Sequence, residues 1–187
     1  MPPKAKYSRE KIIDVAYEMV RKNGEDCLSA RTIAKELGCS TAPIFTVFSS
    51  IEELYDEVVK RARALYDRYI EEGFSATPAF KGTGMKYIQF AKDEPKLFRM
   101  LFMRAGPDTP PSHYFPSGDG NEPLIRKNVE STYGMDEERA RKLYNHLSVY
   151  VHGIAVLFAQ GICVFTDEDV SRMLSEMFLA LTKGETI

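Results

Sequence analysis

The sequence LSARTIAKELGCSTAPIFTVF, residues 28–48, contains two short helical patterns separated by one glycine. Ser29 can cap the first helix, Gly38 suits the left-handed residue that follows a helix end, and Ser40 can cap the second helix. Apolar residues recur at helical spacing in both patterns. They are Ile33, Ala34 and Leu37 in the first pattern and Ile44, Phe45 and Phe48 in the second. The segment therefore predicts two helices joined by a short turn.

The second of these helices begins with three small residues and a proline. Pro43 is tolerated in the first helical turn, where its missing N–H has no intrahelical partner to lose. In a helix-turn-helix, the second helix enters the major groove of DNA by its N-terminal end. Small residues such as Ser40, Thr41 and Ala42 would allow close contact there with phosphates and base edges. The spacing alone also fits an αα-hairpin with a purely packing role.

Helical patterns flank this unit on both sides. Residues 8–23 predict an amphipathic helix that Gly24 ends. Ser50 followed by Glu53 predicts a capping box that opens a long helix from Ile51 to about Glu72. Three short helices and one long helix are thus predicted before residue 73.

A wider pattern runs from Arg9 to Val59. It consists of a helix followed by glycine, the motif IA..LG.S, small residues, two aromatic residues and a capped fourth helix. Its members are Ala16, Gly24, Ile33, Ala34, Leu37, Gly38, Ser40, Phe45, Phe48, Ser50, Glu53 and Leu54. This pattern resembles the N-terminal domain of the TetR family of transcriptional regulators and covers roughly a quarter of the chain. The joint match is more specific than a lone helix-turn-helix pattern.

Two positions depart from the family pattern. Phe45 stands where the family usually has a tyrosine, so a hydroxyl that could bond a phosphate is missing. Ile51 stands where the family usually has a lysine at the start of the fourth helix, so a cation that could bind phosphate is missing. Residues 40–50 carry no charge, so bases would be read by hydroxyls and by apolar contacts with thymine methyl groups. The resemblance places Arg31 near the groove, although it could also be a solvated surface cation. The candidate DNA-binding residues are Arg31, Ser40, Thr41, Ala42, Pro43, Phe45, Thr46 and Ser49.

The overall charge does not indicate a polybasic nucleic-acid coat. The 187 residues include 25 basic and 27 acidic side chains, and the net charge is -2. Basic residues exceed acidic ones by eight to six over residues 1–48, whereas acidic residues exceed basic ones by sixteen to thirteen over residues 71–187. Lys4, Lys6, Arg9 and Lys11 form a basic N-terminal segment, either an arm over the phosphate backbone or an ordinary disordered terminus.

No pattern indicates a membrane protein, a metalloprotein or an enzyme. The start MPPKAKYSREK lacks an apolar run, and no stretch approaches the ~20 apolar residues of a spanning helix. Cys27, Cys39 and Cys163 are widely separated and lack metal-ligand spacing. Phosphate-cradling loops, nucleophile elbows and HExxH motifs are missing from the sequence. We therefore expect a cytoplasmic protein without metal, cofactor or catalytic activity.

Beyond residue 72, helical patterns alternate with loop signals. Residues 73–84 predict a linker before a helix over residues 85–91, and Pro95 precedes a mostly apolar helix over residues 96–104. The segment 106–123, rich in proline and glycine, predicts a long loop. The remaining predicted helices span residues 124–133, residues 137 to about 161 with Asp136 as N-cap, and residues 167–183.

The last two helices carry apolar stripes suited to an interface between subunits. Gly153 and Ala155 would let another helix approach closely, and the last helix repeats apolar residues at near-heptad spacing. Packing inside the subunit is the alternative. The segments PKLFRMLF and YVHGIAVL resemble a TetR subgroup with a His-Gly signature, here His152 and Gly153, and the family resemblance implies a two-fold four-helix bundle. The candidate interface residues are Gly153, Ala155, Val156, Val170, Met173, Leu174, Met177, Phe178 and Leu181.

Aromatic side chains between residues 87 and 158 could line an apolar pocket, although most residues of this kind are simply core. The family resemblance favours a pocket that binds a small apolar effector. The candidate ligand-binding residues are Tyr87, Phe90, Phe98, Phe102, Tyr150 and His152.

Together these patterns predict an all-α protein. Residues 1–50 would form a helix-turn-helix DNA-binding domain, residues 51–72 the fourth, connecting helix, and residues 73–187 an effector-binding and dimerisation domain. The expected function is that of a ligand-responsive repressor that binds a palindromic operator in double-stranded DNA as a homodimer and is released by a small apolar effector. An all-helical interaction module that has lost specific DNA binding is the alternative, because Phe45 and Ile51 remove groups that contact phosphate.

Overall fold

The computed structural model describes residues 7–103, 121–162 and 164–183. Within these ranges the chain forms helices and no strand, which confirms the predicted all-α class. The helices are α1 (Arg9–Asn23), α2 (Ala30–Glu36), α3 (Ala42–Phe45), α4 (Ile51–Phe74), α5 (Ala79–Asp93), α6 (Pro95–Phe102), α7 (Glu122–Tyr133), α8 (Glu137–Ala159) and α9 (Asp167–Lys183). A 3-10 turn, Glu25–Cys27, follows α1. Most of the predicted loop, together with Lys4, Lys6 and Cys163, lies outside the described residues.

The described chain divides into two compact units. The first contains residues 7–65 and 96–103, and therefore holds α1, α2, α3, the first part of α4 and nearly all of α6. The second contains the rest of α4 together with α5, α7, α8 and α9. Helix α4 is one continuous helix of 24 residues that contributes to both units.

The apolar stripes of the N-terminal helices are buried in the first unit. The Oγ atom of Ser8 accepts a hydrogen bond from the Lys11 N–H at 3.2 Å and caps α1, and Gly24 ends that helix at φ 90°. The buried apolar residues of α1 to α4 in this unit are Ile12, Ile13, Ala16, Tyr17, Val20, Ile33, Ala34, Ile44, Phe48, Leu54, Val58 and Ala62. Of the apolar positions predicted for the two central helices, Ile33, Ala34, Ile44 and Phe48 are buried, whereas Leu37 is half-buried and Phe45 is exposed.

Helix α3 begins one residue later than predicted. Its N-cap is Thr41 rather than Ser40, and the Thr41 side chain makes no capping hydrogen bond. A capping side chain accepts from the backbone N–H of the second or third helical residue. The prediction of Ser40 as N-cap is therefore wrong, and a cap at Ser40 would have met Pro43, which has no N–H, as the third helical residue. The prediction that Pro43 lies in the first turn is confirmed.

The C-terminal helices pack around a cluster formed by α7 and α8. Its buried members are Val129, Ala140, Leu143 and Leu147. Helix α8 begins at the predicted cap, where the Asp136 carboxylate accepts from the Arg139 N–H at 2.8 Å. Helix α9 has its predicted bounds, and the apolar side of its second half packs against the same cluster.

The predicted linker over residues 73–84 is wrong, because α5 begins at Ala79. The glycines of this stretch serve a close crossing of two backbones. A Cβ atom added to Gly73 would lie 2.7 Å from the Thr83 Cα atom, and one added to Gly82 would collide with the Gly73 carbonyl oxygen. Glycine is thus required here by the contact between the end of α4 and the start of α5, which local sequence cannot distinguish from a flexible linker.

Substitution of Gly82 tests this crossing. We expect Gly82→Ala to lower the free energy of unfolding by about 1–3 kcal/mol, because the added methyl group must push backbone atoms apart. Gly84→Ala is the matched control in the same helix, since its Cβ would meet the nearest side chains at 3.5 Å. Chemical denaturation measures both variants, and equal stabilities for the two would contradict the assigned role of Gly82.

Candidate nucleic-acid interface and apolar cavity

The turn between α2 and α3 is closed by backbone hydrogen bonds. Gly38 has a φ of 64°, its N–H donates to the Lys35 carbonyl at 3.1 Å, and the Cys39 N–H donates to the Ala34 carbonyl at 2.9 Å. This pair of bonds is a Schellman motif, which the predicted role of Gly38 anticipates. At the other end of α2, Ser29 and Thr32 form a reciprocal capping box. Both ends of α2 are therefore fixed, and so is the direction in which the chain enters α3.

Helix α3 has one buried side and one accessible side. Ile44 is fully buried and Phe48 is 1% exposed, whereas Phe45 is 51% exposed. None of the candidate DNA-binding residues is buried. Arg31, Ser40, Ala42, Phe45, Thr46 and Ser49 are exposed, and Thr41 and Pro43 are half-buried. Six of the eight lie between residues 40 and 46, and these accessible groups include an aromatic ring and small side chains.

The hydroxyl groups of this segment differ in their availability. The Thr46 hydroxyl donates to the Ala42 carbonyl at 3.0 Å, and the Ser49 hydroxyl donates to the Glu53 carboxylate at 2.8 Å. Within the described part of the chain, no hydrogen bond occupies the Thr41 side chain. Thr41 is therefore the threonine of this segment whose donor is open to another molecule.

The junction between α3 and α4 is held by a carboxylate that sequence reasoning assigned only to a capping box. Glu53 Oε2 accepts from both the N–H and the hydroxyl of Ser49, at 2.7 and 2.8 Å. Glu53 Oε1 accepts from Arg9 Nη1 at 2.9 Å, and the Glu53 N–H donates to Ser50 Oγ at 3.2 Å. Only the Ser50 half of the predicted box forms, because the Glu53 side chain bonds the residue before the cap.

Arg9 belongs to this junction and is not part of a flexible arm. Its guanidinium also lies 3.3 Å from a Glu57 carboxylate oxygen and 4.3 Å above the centroid of the Phe48 ring. These contacts join the start of α1 to the segment after α3. Local sequence does not reveal this role, because the partners of Arg9 are more than thirty residues away.

Two cations remain on the exposed surface of α2. Arg31 and Lys35 are exposed, and neither has an acidic partner among the residues that the structure describes. An unpaired cation can contact phosphate without first breaking an ion pair. Positive charge in the helix-turn-helix segment thus comes from its first helix.

The second unit contains a cavity of about 350 Å³ with mostly apolar walls. Helices α4, α5, α7, α8 and α9 all contribute to it. Its aromatic lining residues are Tyr66, Phe80, Tyr87, Tyr133, Tyr144 and Phe178, and its aliphatic ones include Ile70, Ile125, Leu147, Val151, Leu174 and Leu179. The polar lining groups are few and include Lys81, Thr83, Ser148 and Ser175. Cavities of this size and composition are typical of small-molecule sites.

Of the six candidate ligand-binding residues, Tyr87 lines this cavity. His152 lies behind it, with its Nδ1 atom 2.9 Å from the Tyr87 hydroxyl, and burial lowers the pKa of the His152 imidazole. Phe90 is fully buried and packs edge to face on Tyr66, with the ring centroids 5.5 Å apart. Tyr150 is half-buried outside the lining. Phe98 and Phe102 are in α6, which belongs to the first unit, so these six residues do not form one site.

The candidate interface residues fall into two groups. Ala155, Val170 and Leu174 are buried within the subunit, and Leu174 and Phe178 line the cavity. Met177, Phe178 and Leu181 pack against the cluster of α7 and α8. Gly153 is exposed, and Val156 and Met173 are half-buried. Val149 and Leu179, at 49% and 47% exposed, extend the accessible apolar surface of α8 and α9.

The described ranges also bear on membrane segments, metal sites and reactive thiols. No helix there is both long and apolar enough to cross a membrane. No group of three or more potential metal ligands from His, Cys, Asp and Glu occurs among these residues. Cys27 and Cys39 are free thiols and are half-buried.

The chain is similar to an uncharacterized HTH-type transcriptional regulator of Mycobacterium tuberculosis. The two are 27% identical over 188 aligned residues, which cover 96% of this chain and 82% of that protein. The similarity therefore extends across both units and is not confined to the helix-turn-helix segment. No protein-family model matches the chain.

The Glu53 junction predicts a pH dependence of stability. Hydrogen bonds from Ser49 and Arg9 lower the pKa of Glu53 from 4.5 to about 2. A depressed carboxylate pKa stabilises the folded state above the unfolded-state value, and this contribution is lost as the pH falls toward 2. We expect the difference in unfolding free energy between the native chain and Glu53→Gln to be largest above pH 4.5 and to shrink toward pH 2. Urea denaturation over this pH range measures it.

Glu36→Gln provides the matched control, since Glu36 is an exposed carboxylate of the same unit. A Glu53→Gln difference that stays constant from neutral pH to pH 2 would show that the carboxylate does not hold the junction.

Proposed function

We propose that the chain is a helix-turn-helix transcriptional regulator of the TetR type that binds operator DNA as a homodimer and releases it when a small molecule occupies the cavity. The observation that carries the proposal is which side chains in and after α3 are buried and which are exposed. Ile44 and Phe48 anchor this helix, while Ala42, Phe45 and Thr46 remain exposed. The similarity to an HTH-type transcriptional regulator along almost the whole chain supports the same class.

In this proposal DNA is bound by two kinds of contact. Arg31 and Lys35 would neutralise phosphates, and such contacts supply affinity that weakens with salt. Thr41, Ala42 and Phe45 would face base edges in the major groove, where a hydroxyl and apolar groups can distinguish bases. The uncharged α3 favours readout by shape and by thymine methyl groups.

Regulation is proposed to act through α4. This continuous helix carries Glu53 at the junction with α3 and, further along, Tyr66 and Ile70 in the cavity wall. A ligand that favours a different position of Tyr66 or Ile70 would shift the helix that bears the DNA-binding segment. The ligand can change DNA affinity only by its differential affinity for the two arrangements.

A homodimer is proposed because two segments are needed to address the two halves of a palindromic operator, about 34 Å apart or a multiple of it. Gly153 is exposed, and a Cβ added to it would have no described atom within 4 Å apart from its chain neighbours and its own helix backbone, which supports an approach of a second helix at this point of α8. Val149 and Leu179 would be covered by the same contact.

An interaction module without specific DNA binding is the second candidate. It is favoured by the lack of charge over residues 40–50, which leaves α3 without a cation for phosphate or guanine. The half-exposed Phe45 ring would then bind a protein. The two candidates differ in whether the chain selects a sequence from a random pool of duplex DNA.

Thr41→Ala tests the proposed DNA contact. After selection of a preferred duplex, fluorescence anisotropy would compare binding to that duplex and to a scrambled one at low and moderate salt. We expect the variant to lose about 1–3 kcal/mol of preference for the selected duplex, with unchanged thermal unfolding, because a base contact is lost from a surface. The salt dependence should be unchanged, since no phosphate contact is removed.

Lys60→Ala is the control, since Lys60 is an exposed cation on α4 with a 70% exposed side chain. Failure to enrich any duplex would reject the regulator in favour of the interaction module. An unaltered preference in Thr41→Ala would remove Thr41 from the interface.

Gly153→Arg tests the proposed dimer. Position 153 is exposed in a single subunit, so an arginine would fit there. If two helices pack closely at this position in a dimer, the arginine side chain would push the helices apart. We expect the native chain to have the mass of a dimer by light scattering and Gly153→Arg to have the mass of a folded monomer. A control substitution, Lys142→Arg on the same helix, should leave the dimer intact. A monomeric native chain would refute this part of the proposal.

A further inference from the structure

We propose that the cavity binds a compact monocarboxylate with an apolar body and that Lys81 holds the carboxylate. This inference rests on the proposed function, because it names the chemical class of the effector. It is carried by one cationic group set in the wall of an otherwise apolar cavity.

Lys81 is oriented by α9. Its ammonium donates to Ser175 Oγ at 2.9 Å, and the Ser175 hydroxyl in turn donates to the Ser171 carbonyl at 3.0 Å. The hydroxyl therefore presents a lone pair to the ammonium. An ammonium has three N–H donors, so this bond leaves donors that a ligand can use.

Among the described residues, the cavity wall contains no carboxylate to neutralise Lys81. A second groove, which Lys81 also lines, contains Glu72 and Asp167. These two acids pair with other lysines: Glu72 with Lys86 at 2.6 Å and Asp167 with Lys92 at 3.1 Å. Among the described residues Lys81 has no ion pair, so an anionic ligand would supply the missing charge. Ion pairs at such partly desolvated positions are stronger than those in water.

Two of the other polar groups of the wall already have partners. The Thr83 hydroxyl donates to the Phe80 carbonyl at 2.9 Å, and the Tyr87 hydroxyl is within 2.9 Å of His152 Nδ1. A neutral ligand that relies on hydroxyl contacts would have to compete with these bonds. The Ser148 hydroxyl also lines the cavity, but Lys81 is the charged group among the described lining residues, and it therefore favours an anionic head over a neutral one.

The walls fit an apolar body of modest size. Tyr133 and Phe178 lie with their ring centroids 4.7 Å apart, and Phe80 adjoins the same phenylalanine at 6.2 Å. A volume of about 350 Å³ is near the lower end of the range for small-molecule pockets. A short alkyl or phenylalkyl chain suits this space better than a long acyl chain.

Calorimetric titration of the full chain with octanoate and 4-phenylbutyrate tests the assignment, with 1-octanol and 4-phenylbutan-1-ol as matched neutral probes. We expect each acid to bind at least about tenfold more tightly than its alcohol. Lys81→Met should remove that preference by lowering the acid affinity about tenfold, 1.4 kcal/mol, while the alcohol affinity is unchanged. Lys81→Arg should retain the preference, because it keeps the charge.

Lys127→Met, which removes an exposed cation of the same unit, should bind all four probes as the native chain does. Equal binding of acids and alcohols, retention of the preference in Lys81→Met, or no binding of either acid up to about 1 mM would each overturn the proposal. Anisotropy with the selected duplex separates the two proposals. Acid binding by a chain that selects no DNA refutes the regulator alone, and DNA binding without acid preference refutes the carboxylate site alone.

Discussion

The Glu53 carboxylate is the interaction on which the position of the helix-turn-helix segment, α2 and α3, depends. It accepts hydrogen bonds from Ser49, which follows α3, and from Arg9 at the start of α1. One side chain of α4 therefore joins α1, the end of the segment and α4. The Phe48 ring lies beneath the Arg9 guanidinium and closes the same junction. Because α3 has only four helical residues, its own hydrogen bonds could not hold it in place. Its position is imposed by α1 and α4.

The second unit depends on a contact of another kind, the close crossing of α4 and α5 at Gly73 and Gly82. The crossing brings α5 near the end of α4, so that Tyr66 and Ile70 share a cavity wall with Tyr87. Lys81 precedes the second of these glycines and also faces the cavity. The same few residues therefore set the packing of two helices and place the cation of the apolar cavity.

Helix caps and turn residues were predictable from the sequence, because contacts within a few residues determine them. Gly38 and Asp136 act as the sequence indicated, since a left-handed turn residue and an N-cap are recognisable without tertiary contacts. The predicted start of α5 is wrong, because the same glycine pattern suits both a flexible linker and a close crossing of two helices. Candidate residues in α6 were grouped with those of α5 and α8, although α6 belongs to the other unit. Lys81 was overlooked, since its role appears only when α9 brings Ser175 beside it.

The two phenylalanines of the helix-turn-helix segment have different surroundings although they are three residues apart. Phe48 is 1% exposed and lies against Arg9, whereas Phe45 is 51% exposed. On a continuous helix, residues three positions apart lie on nearly the same side. Because α3 ends at Phe45, the chain has left the helix before Phe48, and the two rings face different surroundings. About half of the Phe45 surface stays exposed, so the ring contributes less to the core than a buried ring would, and it lies close in sequence to the open Thr41 hydroxyl. This pairing of an apolar ring with a spare donor on a rigid support is the physical reason for the proposal that α3 reads bases while the cations of α2 supply affinity.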